Sequence, residues 1–240
     1  MLKIKNITAV TESQHLIKDI NLEINADEIH AILGPKHSGK SALAHVIAGH
    51  PSIQVTEGGI LWGRKKLLGM EANERVKLGI FTSFQFPPEF EGVTNFELMT
   101  EFLTTKESEI SDLALKYSSC CEILNLGTEH GDRIPSGHSM VMSQAKRNEL
   151  IYMLLTNPKL VVLDEIDDGL SDQDIVLVAS LLKDYLQDTG KGCIVITHNQ
   201  VLLSILNPTH VHVMVGGEIK LSGGTELYTR IIEDGYSEFS

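Results

Sequence analysis

The stretch Gly34-Pro35-Lys36-His37-Ser38-Gly39-Lys40-Ser41 constrains this chain more than any other part of it. It satisfies G-x-x-x-x-G-K-[ST] in full. A short apolar run at 29–33 precedes it, and a helical pattern at about 39–49 follows. Strand, glycine loop and helix in that order gather backbone N–H groups and the positive end of a helix dipole around one point, which is a cradle for a polyphosphate. In such a loop the lysine reaches the β- and γ-phosphates and the next hydroxyl ligates Mg²⁺. Lys40 and Ser41 take those roles, and Gly34 through Ala42 form the expected nucleotide-binding stretch. A glycine-rich turn that matched by chance would lack the buried strand before it and the helix after it.

A second element supports this reading. Leu160-Val161-Val162-Leu163-Asp164-Glu165 is four apolar residues ending in two carboxylates. In a parallel sheet these carboxylates stand at the carboxyl end of a strand, where the loop after Leu33 also emerges. Asp164 is placed to hold the magnesium shell and Glu165 to polarise an attacking water. A buried strand that merely ends in solvated acids explains Asp164-Glu165 alone, but not its company with the glycine loop.

The rest of the chain fits an α/β fold. Alternating residues at 1–10 and 20–24 read as an antiparallel hairpin or edge, with a further strand at 59–66. Residues 71–78 read as a short helix and 79–85 as a strand. From 95 to about 157 the pattern is helical with charged faces, which is expected to be an inserted helical subdomain. Strands at 160–163 and 193–197 then alternate with helices at 172–186 and 200–206. A strand pair at 210–215 and 218–222 and a helix from about 225 complete it. Apolar strands alternating with helices predict a mostly parallel sheet. The expected division is one domain over 1–240, with an α/β core and β subdomain from 1–90 and 155–240 and a helical part at about 91–154.

Composition narrows the function. The 240 residues carry 20 Lys and Arg against 32 Asp and Glu, a formal net charge of −12. A protein that coats nucleic acid needs a basic face, so no nucleic-acid partner is expected. No apolar run reaches ~18 residues, so no direct membrane insertion is expected. An alternating strand pattern starts at once after Met1, leaving no stretch that reads as a signal or transit peptide. The three cysteines, Cys120, Cys121 and Cys193, form no Cys-x-x-Cys pair, which fits a reduced, cytoplasmic setting.

With these motifs the chain resembles the ABC-type ATPases, and among them the SufC-like ATPases of the SUF iron–sulfur cluster assembly machinery. The resemblance covers essentially the whole chain. Ser83-Phe84-Gln85-Phe86-Pro87 is similar to the family's Q-loop, and Ile196-Thr197-His198-Asn199-Gln200 to its switch-histidine segment. Pro208-Thr209-His210-Val211-His212-Val213, Lys146-Arg147-Asn148-Glu149 and Asp234-Gly235-Tyr236 resemble features that set SufC-like chains apart from transporter ATPases. The resemblance implies a RecA-like P-loop core with an antiparallel β subdomain and an inserted helical subdomain. It implies that Gln85 touches Mg²⁺ or the lytic water, and that His198 contacts the γ-phosphate and positions water with Glu165. It implies ATP and Mg²⁺ as cofactors. It also implies SufB- and SufD-type scaffold partners docking near 86–90, and a transient homodimer or heterodimer of ATPase subunits. No aromatic residue stands in 11–16 to stack on adenine, and His15 is expected to be exposed.

Three departures fall on one surface. The usual Leu-Ser-Gly-Gly-Gln signature aligns with Met140-Val141-Met142-Ser143-Gln144, where only Gln144 matches; Ser136-Gly137-His138-Ser139 lies about one helical turn early. The D-loop, usually Ser-Gly-Leu-Asp, reads Asp168-Gly169-Leu170-Ser171. His37 replaces a loop glycine and costs ~1 kcal/mol if its φ is positive. In ABC dimers these parts face the other subunit, so retained ATP·Mg²⁺ binding with weakened homodimeric closure is expected. The expected function is ATP hydrolysis that drives conformational change in an iron–sulfur assembly scaffold. The alternatives are a hydrolysis-impaired nucleotide-binding regulator and the ATPase subunit of an ABC transporter.

Overall fold

Leu160–Asp164 is apolar until its last residue because both faces of this strand are covered. Leu160 and Val162 point into one apolar cluster, Val161 and Leu163 into another on the opposite side. In the computed structural model, which describes residues 1–11, 14–86, 92–103, 110–135, 140–187 and 189–236, this strand is β7. The preceding elements are β1 (Leu2–Val10), β2 (His15–Ile24), β3 (Ile29–Leu33), α1 (Lys40–Ala48), β4 (Gln54–Trp62), β5 (Lys65–Lys66), α2 (Ala72–Lys77), β6 (Ile80–Ser83), α3 (Asn95–Leu103), α4 (Ile110–Ile123) and α5 (Met142–Thr156). After β7 come α6 (Asp172–Leu186), β8 (Gly192–Ile196), α7 (Gln200–Leu206), β9 (His210–Val215), β10 (Glu218–Gly223) and α8 (Thr225–Asp234).

The main sheet has the order β10-β9-β3-β8-β7-β6, parallel throughout except for β10. Its two faces are read off the strands. Ile32, Ile194 and Ile196 join α1 and the hairpin β1–β2 in one cluster. Ala31, Leu33, Cys193 and Val195 join α5, α6 and α7 in the other. Each fully buried aliphatic side chain is worth about 1.5–3 kcal/mol. The smaller sheet, β2-β1-β4-β5, is antiparallel. Cys120 and Cys121 lie buried in α4 as apolar helix residues, with burial pushing the Cys121 thiol up to about 11.

Two strands differ from the sequence reading. The strand expected at 59–66 begins at Gln54, ends at Trp62 and turns at Gly63 (φ 58°) into the short β5. Residues 54, 56, 57 and 58 are exposed in the antiparallel sheet, so no apolar alternation marks them. β2 starts at His15 rather than near 20, because its first residues pair with the end of β1. Between β6 and β7 the described residues hold α3, α4, a 3-10 turn at Thr128–Asp132 and α5, and no strand. Asn95 binds this part together. Its amide donates to His130 O, and its Oδ1 accepts from Asn148 and Tyr152.

Candidate active site

The loop after β3 is shaped by two glycines. Gly34 has φ 154°, and a Cβ on it would lie 2.0 Å from Met214 O. Gly39 has φ 100° and a Cβ there would lie 2.6 Å from Leu16 O. His37, at φ 63°, takes the left-handed region that the sequence reading anticipated as strained. The loop then enters α1, and Gly34 N donates to Tyr236 Oη at 3.1 Å from the far end of the chain.

Lys40 folds back over this loop. Its Nζ donates to Gly34 O and Pro35 O, each at 2.8 Å, and to Ser38 Oγ at 3.3 Å. Burial pushes its ammonium pKa down, against the pull of Glu165 and Asp164. The cation already lies where phosphate oxygens are expected.

Ser41 Oγ donates to Asp164 Oδ1 at 3.1 Å, joining the first turn of α1 to the end of β7. Asp164 is fully buried and its Oδ2 has no hydrogen-bond partner. Burial raises its carboxyl to about 6, and the Ser41 hydroxyl opposes this. A buried carboxylate oxygen left without a donor has coordination capacity to spare.

Gln85 and Glu165 come together from β6 and β7. Gln85 Nε2 donates to Glu165 Oε2 at 2.5 Å. Glu165 itself has φ 50°, and its N–H donates to Ile196 O at 2.9 Å, which fixes the turn that aims its side chain. His198, just beyond β8, is exposed on the cleft wall. Partial burial at that wall and the Lys40 cation push its imidazole pKa down. Lys36, Gln85, Glu165 and His198 line one open cleft of about 960 Å³ with the glycine loop. Thr11 and the exposed His15 form its outer rim.

Two residues that the sequence reading used only as family markers are structural parts of this site. Lys146 is 0% exposed, and its Nζ donates to Phe84 O at 2.6 Å and Asp164 O at 3.4 Å. It ties the segment carrying Gln85 to the strand carrying Asp164. Glu149, one turn later on α5, accepts from Ser83 Oγ at 2.7 Å and from Phe84 N at 3.3 Å. A lysine in a Lys-Arg run reads as a solvated face, so its burial is not legible in the sequence.

Of the departures from the family pattern, His37 lines the cleft, and the signature stretch at 140–144 and Ser171 lie outside its lining. Val141 is 64% exposed and precedes α5 without a side-chain cap, and Met142 lies against Gly169. Gln144 Oε1 accepts from Arg133 at 3.1 Å. Ser171, where an aspartate was expected, caps α6 by accepting from Asp174 N at 3.2 Å. Serine and aspartate are comparable caps, so the helix keeps its start without the expected charge. Phe86 is 69% exposed beside Gln85. Pro87, Pro88, Phe90 and the stretch 136–139 lie outside the described residues.

A parallel sheet with a glycine loop at its carboxyl edge, facing two acids, a glutamine and a histidine, defines an α/β P-loop nucleotide-binding domain. Residues 17–167 match the ABC transporter family, and the chain belongs to that family of ATPases. It is 37% identical to "Vegetative protein 296" of Bacillus subtilis, over 98% of this chain and 91% of that protein. It is also 37% identical to a probable ATP-dependent transporter of Synechocystis, over 98% and 94% of the two chains. A probable ABC transporter ATP-binding protein of Streptococcus pyogenes is 35% identical, over 99% and 94%. Among solved structures, a dimeric ATP-binding cassette in a post-hydrolysis state, bound to ADP and Pi, superposes with a TM-score of 0.80 at 22% identity, covering 93% of this chain and 98% of that one. No helix among the described residues is long and apolar enough to cross a membrane.

Proposed function

We propose that this chain binds Mg²⁺·ATP between β3 and α1 and hydrolyses it by in-line attack of water on the γ-phosphorus, as the motor subunit of a larger assembly. The observation that carries this is the Ser41–Asp164 pair. A hydroxyl and a carboxylate meet at 3.1 Å, and the second carboxylate oxygen is buried without a donor. Such an oxygen set suits a hard divalent cation, and Ser41, Asp164 and Gln85 would hold it. When bound, magnesium neutralises charge on the β- and γ-phosphate oxygens. Lys40 exchanges its bonds to Gly34 O and Pro35 O for phosphate oxygens. Glu165, released from Gln85, accepts the proton of the attacking water. His198 donates to the γ-phosphate. Glu165→Gln tests this: ATP binding should persist while hydrolysis falls by about 10²–10⁴-fold.

The relatives support a first reading of the partner. Those of Synechocystis and Streptococcus pyogenes carry names of transporter ATPases, which supports a membrane transport complex driven through the helical part at about 91–154. An iron–sulfur scaffold of the SufB and SufD type is a second reading. It is favoured by the roles that Lys146, His212 and Tyr236 have in this chain, since these lie in the segments resembling SufC-like ATPases. The exposed Phe86 beside Gln85 suits docking in either case. Affinity purification of the tagged chain with its native partners separates the two: a membrane permease supports transport, and a soluble scaffold pair supports cluster assembly. The dimeric state of the solved cassette supports action in pairs. With Val141 and Met142 in place of phosphate donors, closure with a second copy is weak, and a partner subunit with a complete signature would close better.

A further inference from the structure

The cleft lies at the carboxyl ends of the parallel strands, and the opposite end of the sheet carries a second concentration of polar chemistry. His30 of β3 stands in register with His210 of β9, and His212 stands opposite Ile32. The two-residue period of a strand puts all three rings on one face. His30 and His212 are buried, while His210 and Glu28 are half-buried at the rim. The His30 and His210 rings stack at 4.3 Å with 13° between their planes. One donor atom from each of Glu28, His30 and His210 lies within 4.8 Å of the other two.

We propose that Glu28, His30 and His210 form a binding site for one divalent transition cation of the Zn²⁺ class, which cross-links β3 to β9 at the end of the sheet remote from the cleft.

The donor set selects the class. Two imidazoles and a carboxylate suit Zn²⁺, Co²⁺ or Ni²⁺, whereas Mg²⁺ and Ca²⁺ take oxygen donors. Three protein ligands leave a fourth tetrahedral position for water. Bonds of about 2.1 Å place tetrahedral ligands about 3.4 Å apart, and the in-plane lone pairs of two stacked rings do not converge, so the site closes with a rotation of one imidazole. His210, at the rim, makes it by tilting out of the stack, and the buried His30 stays.

Each ligand also has an outer partner that aims it. Asn25 donates to both carboxylate oxygens of Glu28, from its backbone at 2.7 Å and from its amide at 3.1 Å. Thr209 Oγ1, whose own proton goes to Ile29 O, lies 3.0 Å from His210 Nδ1, leaving Nε2 as the ring nitrogen for a cation. His30 Nδ1 is 2.9 Å from His212 Nε2, and His212 Nδ1 is 2.7 Å from Ser222 Oγ. Metal-binding histidines characteristically pass their second N–H to such a partner. Without a cation, His30 Nε2–H donates to Glu28, 3.0 Å away, and the chain runs from Ser222 through His212 to His30. With a cation on Nε2, the same chain reverses. His30 Nδ1–H donates to His212, His212 Nδ1–H donates to Ser222, and both rings stay neutral with no net proton released from them.

The test uses the full chain, freed of metal with a chelator and titrated with Co²⁺ or Zn²⁺ alone. One equivalent of Co²⁺ should give the visible absorption of a four-coordinate ion, and Zn²⁺ should displace it. Zn²⁺ at a hundredfold above its Kd should raise Tm by about 5 °C or more. His210→Ala and Glu28→Gln, both at the rim, should weaken binding by about 100-fold, and Ser222→Ala by about 10-fold. Asp164→Asn should leave it unchanged. Saturation only above ~100 μM, affinity unaltered in His210→Ala, or loss in Asp164→Asn with retention in His210→Ala would each overturn the proposal. The last would assign the ion to the cleft. Circular dichroism of His210→Ala checks that the sheet is intact.

Discussion

Gln85 Nε2 and Glu165 Oε2 are bonded to each other at 2.5 Å across the mouths of β6 and β7. The amide that would orient the attacking water holds the carboxylate that would deprotonate it. On the proposed mechanism this carboxylate is a poor base until the bond lengthens, so entry of a nucleotide should separate the pair.

On the proposed mechanism Gln85 and Glu165 act on one water. Glu165→Gln should lower steady-state ATP hydrolysis by about 10²–10⁴-fold, and Gln85→Ala should lower it by about 10-fold or more. The double variant should be no slower than Glu165→Gln alone, because neighbours in one network are non-additive. Phosphate release in single and double variants reads this directly, and additive losses would mean the two groups work in separate steps.

Lys40→Ala removes the buried cation from the loop. Three oxygen acceptors, Gly34 O, Pro35 O and Ser38 Oγ, lose their donor with it. ATP affinity by isothermal titration should drop by about 10-fold or more, as expected for charge-assisted bonds worth roughly 1.5–3 kcal/mol each. The fold should persist, since the loop backbone is held independently by Gly217 N to Ser38 O and by Tyr236.

Val141 and Met142 are exposed at the start of α5 and offer no side-chain donor. Val141→Ser with Met142→Gly restores a hydroxyl and a close backbone approach. One recovered phosphate donor is worth about 10²–10³-fold in turnover. The double variant should hydrolyse ATP faster at high protein concentration, where pairs form. Unchanged turnover would mean that closure with a second copy does not limit the reaction.

Glu149 gives a pH signature. Burial raises its carboxyl from 4.5 to about 7, with Lys146 and the Ser83 hydrogen bond opposing the shift. Between pH 4.5 and 7 the folded chain therefore holds a proton that the unfolded chain has lost. Stability from this group is full below 4.5 and declines as pH rises through 7. Glu149→Gln keeps an acceptor for Ser83 and Phe84 and should flatten that slope. Urea midpoints at pH 5, 6, 7 and 8 compare the two chains, and parallel slopes would refute the assignment.

Several elements were legible because their causes are local or periodic. The strands β3, β7 and β8 are covered on both faces, so their sequences are largely apolar, interrupted only by His30 in β3 and ended by Asp164 in β7. Gly34 and Gly39 are read from the motif, and the backbone needs them, since a Cβ at either would strike a carbonyl oxygen. The start of β4 was not legible, because its exposed residues carry no alternation. The cap role of Ser171 was missed because the residue was judged by the charge it lacks and not by the N–H it accepts.

The order of residues was enough to set the parallel core, the phosphate loop and the acids at the end of β7, since each follows from hydrophobic period or from contiguous residues. Folding alone brought Gln85 onto Glu165, buried Lys146 beneath Phe84 and Asp164, and aligned Glu28, His30, His210, His212 and Ser222 from three strands. These contacts join residues from separate elements, in the widest case about 180 positions apart. Strand order and register fix them, and register depends on how both faces of the sheet pack together, which no local run of residues encodes.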